Sequence, residues 1–356
     1  GYRVEPVYSS DGQGYRYARN FTLAFLGIPE VVLRDDPLDI AANDVFLGLD
    51  LSPEVVPAER LYYQALRQRG VRVFFVVYDL LCIQTPQRFS TELVNAFHNW
   101  LEVVLESDGA LCISKAVADE LADWVKDNAP LRDRPCQINW FHLGSDIENS
   151  APTKGLPPDA NTVLSALHAR LTFTMVGTLE PRKAHVQVLE AFEALWRTGI
   201  DVNLAIVGKQ GWMVEPLTAR LRKHPELGKR LYWLDAISDE YLQEVYASST
   251  CLIAASCAEG FGLPLIEAAR QKLPVVARDI AVFREVAGDH AFYFSGTSSQ
   301  SLAEALREWL RLNAEGLAPS SEGIRWLTWA ESTGCLLRLL LAEAETAEEP
   351  ASQQSI

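Results

Sequence analysis

The residues best suited to chemistry lie in the segment CAEGFGLPLIEAAR, residues 257–270. It contains Glu259 and Glu267, and two glycines, Gly260 and Gly262, stand between them. Glycine lets a ligand approach the backbone closely, and a carboxylate accepts two hydrogen bonds from neighbouring hydroxyls of a sugar or ribose. A single glutamate here would be read as a solvated acid or as a complement to a helix dipole. The pair together with the glycines instead predicts a ligand with two polyol ends.

A second group of polar residues lies in GTLEPRKAHVQVLEAF, where Gly177 provides a tight turn and Arg182 and Lys183 stand side by side. Two cations at the start of a predicted helix oppose the helix dipole unless an anion shares the site. Unpaired backbone N–H groups together with an arginine and a lysine would hold a diphosphate well. The alternative is a solvated charge pair, and the local conflict favours the diphosphate. Both groups together outline a nucleoside diphosphate sugar.

Two further residues follow a predicted strand in VGKQGW. Lys209 has two interpretations of equal weight, contact with a phosphate or base and simple solvation. Trp212 either packs near a base or fills the core.

The elements that must position these residues alternate between short apolar strands and helices. The predicted strands are Val71 to Tyr78, Gly109 to Ile113, Thr172 to Val176, Asn203 to Val207, Cys251 to Ala255 and Pro274 to Ala277. The predicted helices are Val186 to Trp196, Tyr241 to Ala247, Leu263 to Arg270 and Trp326 to Ala342. Apolar strands that alternate with helices indicate an α/β fold with doubly wound parallel sheets.

One polar, proline-rich stretch, residues 145–165, interrupts this alternation and predicts a hinge near residues 147–168. We therefore expect two Rossmann-like domains that face a cleft, with ligands outside the carboxyl ends of the strands. The predicted domains cover residues 1–155 and 156–322, followed by a final helix over 323–343 and a disordered tail or linker over 344–356.

Composition restricts the class of partner. The chain has 356 residues and a net charge of −15, which repels nucleic acid and anionic lipid surfaces. Six scattered cysteines indicate free thiols and a reducing compartment. No apolar run is long enough to span a bilayer, so we expect a cytoplasmic protein. Weak peripheral association with a membrane remains compatible with the sequence.

The second half of the chain resembles the retaining glycosyltransferases of the GT-B fold, in the family often called glycosyl transferases group 1. The resemblance covers roughly residues 171 to 294 and rests on GTLEPRKAHVQVLEAF, VGKQGW, SDEYLQEVYASSTCLIAAS, AEGFGLPLIEAARQKLPVVARD and FREVAGDHAFYF. It implies that Glu259 contacts the donor sugar, that Glu267 holds the ribose hydroxyls, and that Arg182 and Lys183 neutralise the diphosphate with the backbone at Gly177 close by. Gly260, Phe261, Gly262 and Leu263 would complete the donor site. The resemblance also implies that residues 1–155 form the acceptor-side domain, that residues 156–322 form the nucleotide-sugar donor domain, and that the final helix over 323–343 returns to the first domain. No metal or other cofactor is implied.

GWM, YDLL and FHLGSDI are most similar to bacterial polysaccharide mannosyltransferases, some of which are domains of longer multi-transferase chains. This implies transfer of mannose from GDP-mannose to a glycan or lipid-linked glycan, at the inner face of the cell membrane, alongside other transferase domains.

The sequence departs from the family at two places. Tyr78 and Asp79 stand where many members have His-Asp, so we expect them on the acceptor side. GYRVEPVYSS resembles the second strand of the first domain, so we expect the first strand and its glycine-rich loop to be missing.

Two alternatives to transfer stay open. One is a non-catalytic domain that binds nucleotide sugars or serves as a scaffold in a longer chain. The other is a sugar-nucleotide epimerase of the same fold.

Overall fold

The computed structural model describes residues 2–10, 12–28, 31–128, 135–146 and 155–341. The chain divides into two compact units. The first unit takes in Gly1–Ile113, Val117–Phe141 and Cys335–Ile356, and the second unit takes in Ser114–Ala116 and His142–Gly334.

The first unit contains a hairpin and a parallel sheet. Strands β1 (Val7–Ser9) and β2 (Tyr15–Tyr17) pair antiparallel with each other. The four-stranded sheet has the order β3-β4-β5-β6, and all its pairs are parallel. Its strands are β3 (Val45–Gly48), β4 (Arg72–Val77), β5 (Gly109–Cys112) and β6 (Gln137–Trp140).

The second unit is built on a six-stranded parallel sheet. Its strands are β7 (Thr172–Val176), β8 (Asn203–Val207), β9 (Leu231–Leu234), β10 (Cys251–Ala254), β11 (Val275–Arg278) and β12 (Phe292–Phe294). The spatial order is β12-β11-β10-β7-β8-β9. Numbered from the first strand of this unit, that order is 6-5-4-1-2-3, which is the strand order of the Rossmann fold. The predicted α/β class with parallel sheets is confirmed, and the sheet of the second unit has the doubly wound order.

The helices of the described residues connect these strands. They are α1 (Arg19–Phe25), α2 (Val55–Ala58), α3 (Arg60–Gln68), α4 (Leu81–Gln84), α5 (Thr91–Glu106), α6 (Lys115–Asn128), α7 (Ala160–His168), α8 (His185–Arg197), α9 (Glu215–Arg222), α10 (Asp239–Ala247), α11 (Leu263–Arg270), α12 (Ala281–Ala287), α13 (Ser299–Ala314) and α14 (Trp329–Leu341). Within those residues, no helix is long and apolar enough to cross a bilayer.

Each unit has its own apolar core. In the first unit, β4 and α5 supply many of the buried side chains, including Phe75, Trp100 and Leu101. In the second unit, the larger cluster lies between the sheet and the helices α8 and α13, where the Phe173 ring of β7 packs edge-on against the rings of Phe192 and Trp309. Burial of apolar area on both faces of β7 and β8 explains their continuous hydrophobic runs.

One expectation about the chain's organisation was wrong, and a second is tested only in part. GYRVEPVYSS does not supply a strand of the parallel sheet, because the Ser10 N–H bonds to the Gly14 carbonyl and turns the chain into the β1–β2 hairpin. The polar stretch taken as a hinge is partly helical, since Ala160 and Leu167 of α7 are buried against Ala205 and Val207. Residues 147–154 of that stretch lie outside the described residues, as do residues 342–356 of the predicted tail.

Candidate active site

The candidate site of the second unit lies where the strand order reverses. Strands β7 and β10 are neighbours at the middle of the sheet, although three helices and two strands separate them along the chain. The helices that follow β7 and β10 cover opposite faces of a doubly wound sheet, which leaves a crevice at the carboxyl ends of these two strands. The two segments singled out in the sequence, residues 177–183 and 256–267, follow β7 and β10.

The loop after β7 is fixed against the loop after β8. The Gly177 N–H donates to the Val207 carbonyl at 2.9 Å, and the Leu179 N–H donates to the Lys209 carbonyl at 2.9 Å. A Cβ at Gly208 would lie 2.0 Å from the Gly177 carbonyl oxygen, so no larger residue fits between the two loops. The backbones after β7 and β8 approach each other closely here. This explains why a glycine directly follows each of these two strands.

Arg182 and Lys183 lie in a 3₁₀ turn, Pro181–Lys183, rather than inside a helix. Ala184 follows with a left-handed backbone (φ 59°), and α8 begins at His185. The turn and the reversal at Ala184 aim both cations at the loop that follows β10.

Both cations bind the same carboxylate. Arg182 Nη1 donates to Glu259 Oε2 at 2.5 Å, and Lys183 Nζ donates to Glu259 Oε1. Ser256 Oγ donates to Glu259 Oε1 at 2.6 Å, and Arg182 also pairs with Glu180 at 2.7 Å. The Glu259 side chain is 9% exposed, so this cluster is a partly buried network and not a surface salt bridge.

The charges of this cluster hold Glu259 ionised. Burial alone would raise the pKa of Glu259, but the opposite charges of Lys183 and Arg182 outweigh it and the pKa lies below its usual range. The two cations thus face two carboxylates, Glu259 and Glu180. The sequence predicted an anion beside Arg182 and Lys183. In this structure the carboxylates of Glu259 and Glu180 fill that place.

Glu267 lies apart from that cluster, in the second turn of α11 and not in its first turn as the sequence suggested. The Tyr246 hydroxyl on α10 bonds to Glu267 Oε2 at 2.7 Å. Burial raises the pKa of Glu267, and the bond from Tyr246 counteracts part of that rise.

The glycine-rich segment makes the turn between these two glutamates. Gly262 caps α11 with φ 99°, and a Cβ there would lie 2.8 Å from Cε1 of Phe283. Gly260 and Phe261 are buried, and Leu263 is the first residue of α11. Only glycine can have this positive φ and also avoid contact with Phe283 at position 262.

The remaining predicted residues have other surroundings. Lys209 is exposed at the end of β8, beside the loop that carries Gly177. Tyr78 and Asp79 lie in the first unit, directly after β4. The Tyr78 hydroxyl donates to the Leu49 carbonyl at 2.8 Å, and Asp79 Oδ1 accepts from the Leu81 N–H at 3.1 Å. The acceptor-side role of these two residues stays a prediction.

Sequence reasoning missed three residues of the site: Glu180, Ser256 and Tyr246. Glu180 and Ser256 had a signal, because each stands within three residues of a predicted site residue and carries an oxygen. No sequence signal pointed to Tyr246, because only the tertiary structure brings its hydroxyl on α10 to Glu267 on α11. Among the residues that the structure describes, no group of three His, Cys, Asp or Glu side chains is placed to hold a metal ion.

Comparison with known proteins matches the second unit to a known family. Residues 165–323 match the family described as Glycosyl transferases group 1. The serotype-specific mannosyltransferase WbdA of Escherichia coli is 44% identical over 352 residues, which cover 98% of this chain and 43% of WbdA. The O-antigen chain mannosyltransferase B of Escherichia coli is 34% identical over 115 residues, which are 32% of this chain and 30% of that protein. The chain thus spans less than half the length of WbdA.

Solved structures share the fold at low sequence identity. Sucrose-phosphate synthase from Thermosynechococcus elongatus superposes with a TM-score of 0.61 at 18% identity, covering 84% of this chain and 74% of that one. Together with the strand order and the segments after β7 and β10, these matches show that the chain has the GT-B fold and carries a domain of the glycosyl transferases group 1 family.

Proposed function

We propose that the chain is a retaining glycosyltransferase that moves mannose from GDP-mannose to a growing glycan. The observation that carries this proposal is the convergence of Arg182, Lys183 and Glu259 at the carboxyl ends of β7 and β10. An arginine, a lysine and a carboxylate in one crevice match a diphosphate with a polyol attached. The similarity to WbdA, a mannosyltransferase by name, supports mannose as the sugar.

In the proposed reaction the bond between the anomeric carbon and the diphosphate oxygen breaks, and a hydroxyl oxygen of the acceptor bonds to that carbon on the same face. The proton of that hydroxyl passes to an oxygen of the departing diphosphate. Arg182 and Lys183 stabilise the negative charge that develops on the diphosphate. Glu267 accepts hydrogen bonds from the ribose hydroxyls, and Glu259 contacts the sugar.

The donor must displace Glu259 from its cations. In the structure Glu259 accepts from both Arg182 and Lys183, which are the groups assigned to the diphosphate. A bound diphosphate supplies the negative charge in place of Glu259, whose oxygens then become available to sugar hydroxyls. The same residues would thus serve an empty and a loaded site without leaving a buried charge unpaired.

The proposal needs no metal or other cofactor, because two cationic side chains supply the positive charge. The acceptor is a glycan or a lipid-linked glycan, and nucleic acid is disfavoured by the net charge of −15. All six cysteines are free thiols, which fits a reducing cytoplasm. Work at the inner face of the membrane, next to other transferase domains, is part of the same proposal.

The test measures binding and turnover with a panel of nucleotide sugars. We expect GDP-mannose to raise the unfolding midpoint more than UDP-glucose does, because a ligand that binds only the native state stabilises it. We expect GDP release that depends on a mannose-containing acceptor. Lys183→Ala should weaken GDP binding by about 1.5–3 kcal/mol, the range for a hydrogen bond to a charged group. Lys223→Ala, which changes an exposed lysine after α9, is the matched control and should bind as the wild type does.

The alternatives predict different outcomes in the same assay. Binding without release of GDP in the presence of acceptor indicates a non-catalytic domain. Conversion of the nucleotide sugar without any acceptor indicates an epimerase. Unchanged GDP affinity in Lys183→Ala would remove the diphosphate from this crevice.

A further inference from the structure

Tyr246 is a buried polar residue that the proposed reaction does not use. Its side chain lies on α10, is 2% exposed, and its hydroxyl is 2.7 Å from Glu267 Oε2. A phenylalanine would fill nearly the same volume without a polar atom to satisfy. Burying a hydroxyl costs free energy unless it has a partner, so the partner matters at this position.

The bond between the two side chains has a definite direction. Burial raises the pKa of Tyr246 well above its usual value, with the Glu267 charge as a further cause, so the phenol keeps its proton. An ionised carboxylate has only lone pairs to offer. Tyr246 therefore donates and Glu267 Oε2 accepts.

This donation constrains the carboxylate of Glu267. The last torsion of a glutamate side chain has a broad minimum and is weakly fixed by itself. A hydrogen bond from a rigid, buried ring occupies one lone pair of Oε2 and sets the plane of the carboxylate. Oε1 and the second lone pair of Oε2 remain for two neighbouring hydroxyls of a ligand.

We propose that Tyr246 is a positioning residue that orients Glu267 to accept hydrogen bonds from the ribose of a nucleotide. This inference rests on the function proposed above, since it takes Glu267 as the ribose contact. Tyr246 itself touches no ligand and acts only through Glu267.

The charged groups that face Glu267 give the proposal a pH signature. Asp239 raises the pKa of Glu267, whereas Tyr246, Arg270 and Lys183 lower it against the larger effect of burial. Protonation of Glu267 puts an O–H donor on one carboxyl oxygen and so reduces its capacity to accept hydrogen bonds from hydroxyls. Nucleotide affinity therefore falls as the pH drops through the pKa of Glu267. Removing the Tyr246 hydroxyl raises that pKa further, and the loss of affinity then begins at a higher pH.

The experiment measures GDP and UDP binding to the full chain by calorimetry, from neutral to mildly acidic pH, for wild type and Tyr246→Phe. We expect Tyr246→Phe to bind about fivefold to tenfold more weakly at neutral pH, within the range for one ordinary hydrogen bond, because Tyr246 acts on the ligand only through Glu267. Its affinity should also decline at a higher pH than that of the wild type. Tyr241→Phe is the matched control, because Tyr241 lies on the same helix and is also 2% exposed. It should behave as the wild type does.

Two more variants separate this inference from the proposed function. Glu267→Gln should lose nucleotide affinity, and adding Tyr246→Phe to it should cause no further loss, because a residue that acts only through Glu267 has nothing left to position. If Glu267→Gln binds as the wild type does, the ribose assignment fails and the inference fails with it. If Glu267→Gln loses affinity but Tyr246→Phe does not, or loses it equally at every pH, only the positioning role is overturned.

Discussion

Glu259 binds both cations that the proposed donor diphosphate requires. Arg182 and Lys183 each contact one of its oxygens, and Ser256 donates to the same carboxylate. A carboxylate in this position competes with a phosphate for the same donors. Glu259 therefore has two opposing effects, since it lowers the affinity for a diphosphate and is still needed at the sugar.

Glu259→Gln should increase the affinity for GDP by about threefold to tenfold and decrease transfer, because removing one partner of a charge pair is worth roughly 1 kcal/mol or more. The role that the family resemblance implies for Glu259, contact with the donor sugar alone, would instead leave GDP binding nearly intact. Calorimetry with GDP and an acceptor-dependent assay of GDP release measure the two effects.

The control for this prediction is Glu190→Gln, which changes a half-buried glutamate on α8 that pairs with Arg220 at 3.4 Å. Glu190→Gln should leave both GDP affinity and acceptor-dependent GDP release unchanged. A loss of GDP affinity in Glu259→Gln would mean that Glu259 itself supports the nucleotide.

Two helices of the second unit begin in the same unusual way. Both α8 and α11 follow a residue with a left-handed backbone, Ala184 at φ 59° and Gly262 at φ 99°. Each reversal lets a loop that carries site residues run straight into a helix. An L-residue with a Cβ is strained in this conformation and glycine is not.

Gly262→Ala should destabilise the protein by about 1–3 kcal/mol, because it adds left-handed strain and a Cβ that would meet Phe283. Urea unfolding checks the value, and nucleotide affinity should fall as the turn between Glu259 and Glu267 shifts. Gly316→Ala is a useful comparison, since Gly316 also has a positive φ (71°) but a Cβ there meets nothing within 4 Å. An equal loss in both variants would show that contact with Phe283 adds nothing.

Ala184→Gly should stabilise the protein, whereas Gly262→Ala should destabilise it. Relief of the left-handed strain is worth about 1–2 kcal/mol, and the greater freedom of glycine in the unfolded chain offsets about 0.5–1 kcal/mol of it. We therefore expect a gain in the free energy of unfolding of about 0.5–1 kcal/mol by urea titration. The same change inside the helix, Ala194→Gly, should instead lose about 1 kcal/mol. A loss in Ala184→Gly would indicate that the Ala184 methyl packing outweighs the strain.

At the scale of the whole molecule, the donor-side residues belong to one unit. The six-stranded sheet, both of its apolar clusters and the segments that carry Arg182, Lys183, Glu259 and Glu267 all lie within His142–Gly334. A unit with its own core and complete sheet has what it needs to fold alone.

A fragment of residues 142–334 should fold and bind GDP with nearly the affinity of the full chain, but transfer no sugar. At about 100 times the dissociation constant, GDP should raise its free energy of unfolding by about 2.7 kcal/mol. Thermal unfolding with and without GDP measures this. The fragment with Lys183→Ala is the control and should show a much smaller rise. A fragment that folds but does not bind GDP, when the full chain does, would place part of the nucleotide site elsewhere.

Much of the fold was predictable because buried parallel strands have a strong local signature. Thr172–Val176, Asn203–Val207 and Leu263–Arg270 were predicted with the bounds that the structure has. Strands such as Gln137–Trp140 and Leu231–Leu234 were missed, because they are short and only partly buried. Helix α7 was not predicted, because prolines and polar residues precede it. Only the structure shows that Ala160 and Leu167 of α7 are buried against β8.

The sequence by itself determined which residues carry chemistry and which strands they follow, because residue type, glycine placement and strand periodicity are local properties. It placed Arg182 and Lys183 after one strand and Glu259 after another. Only the tertiary structure decided that these strands, β7 and β10, are neighbours at the reversal of the sheet order, so that both cations meet one carboxylate. It likewise decided that Tyr246 reaches Glu267. Such contacts join residues about 20 to about 80 positions apart, and no local pattern encodes a pairing that depends on how the whole sheet is wound.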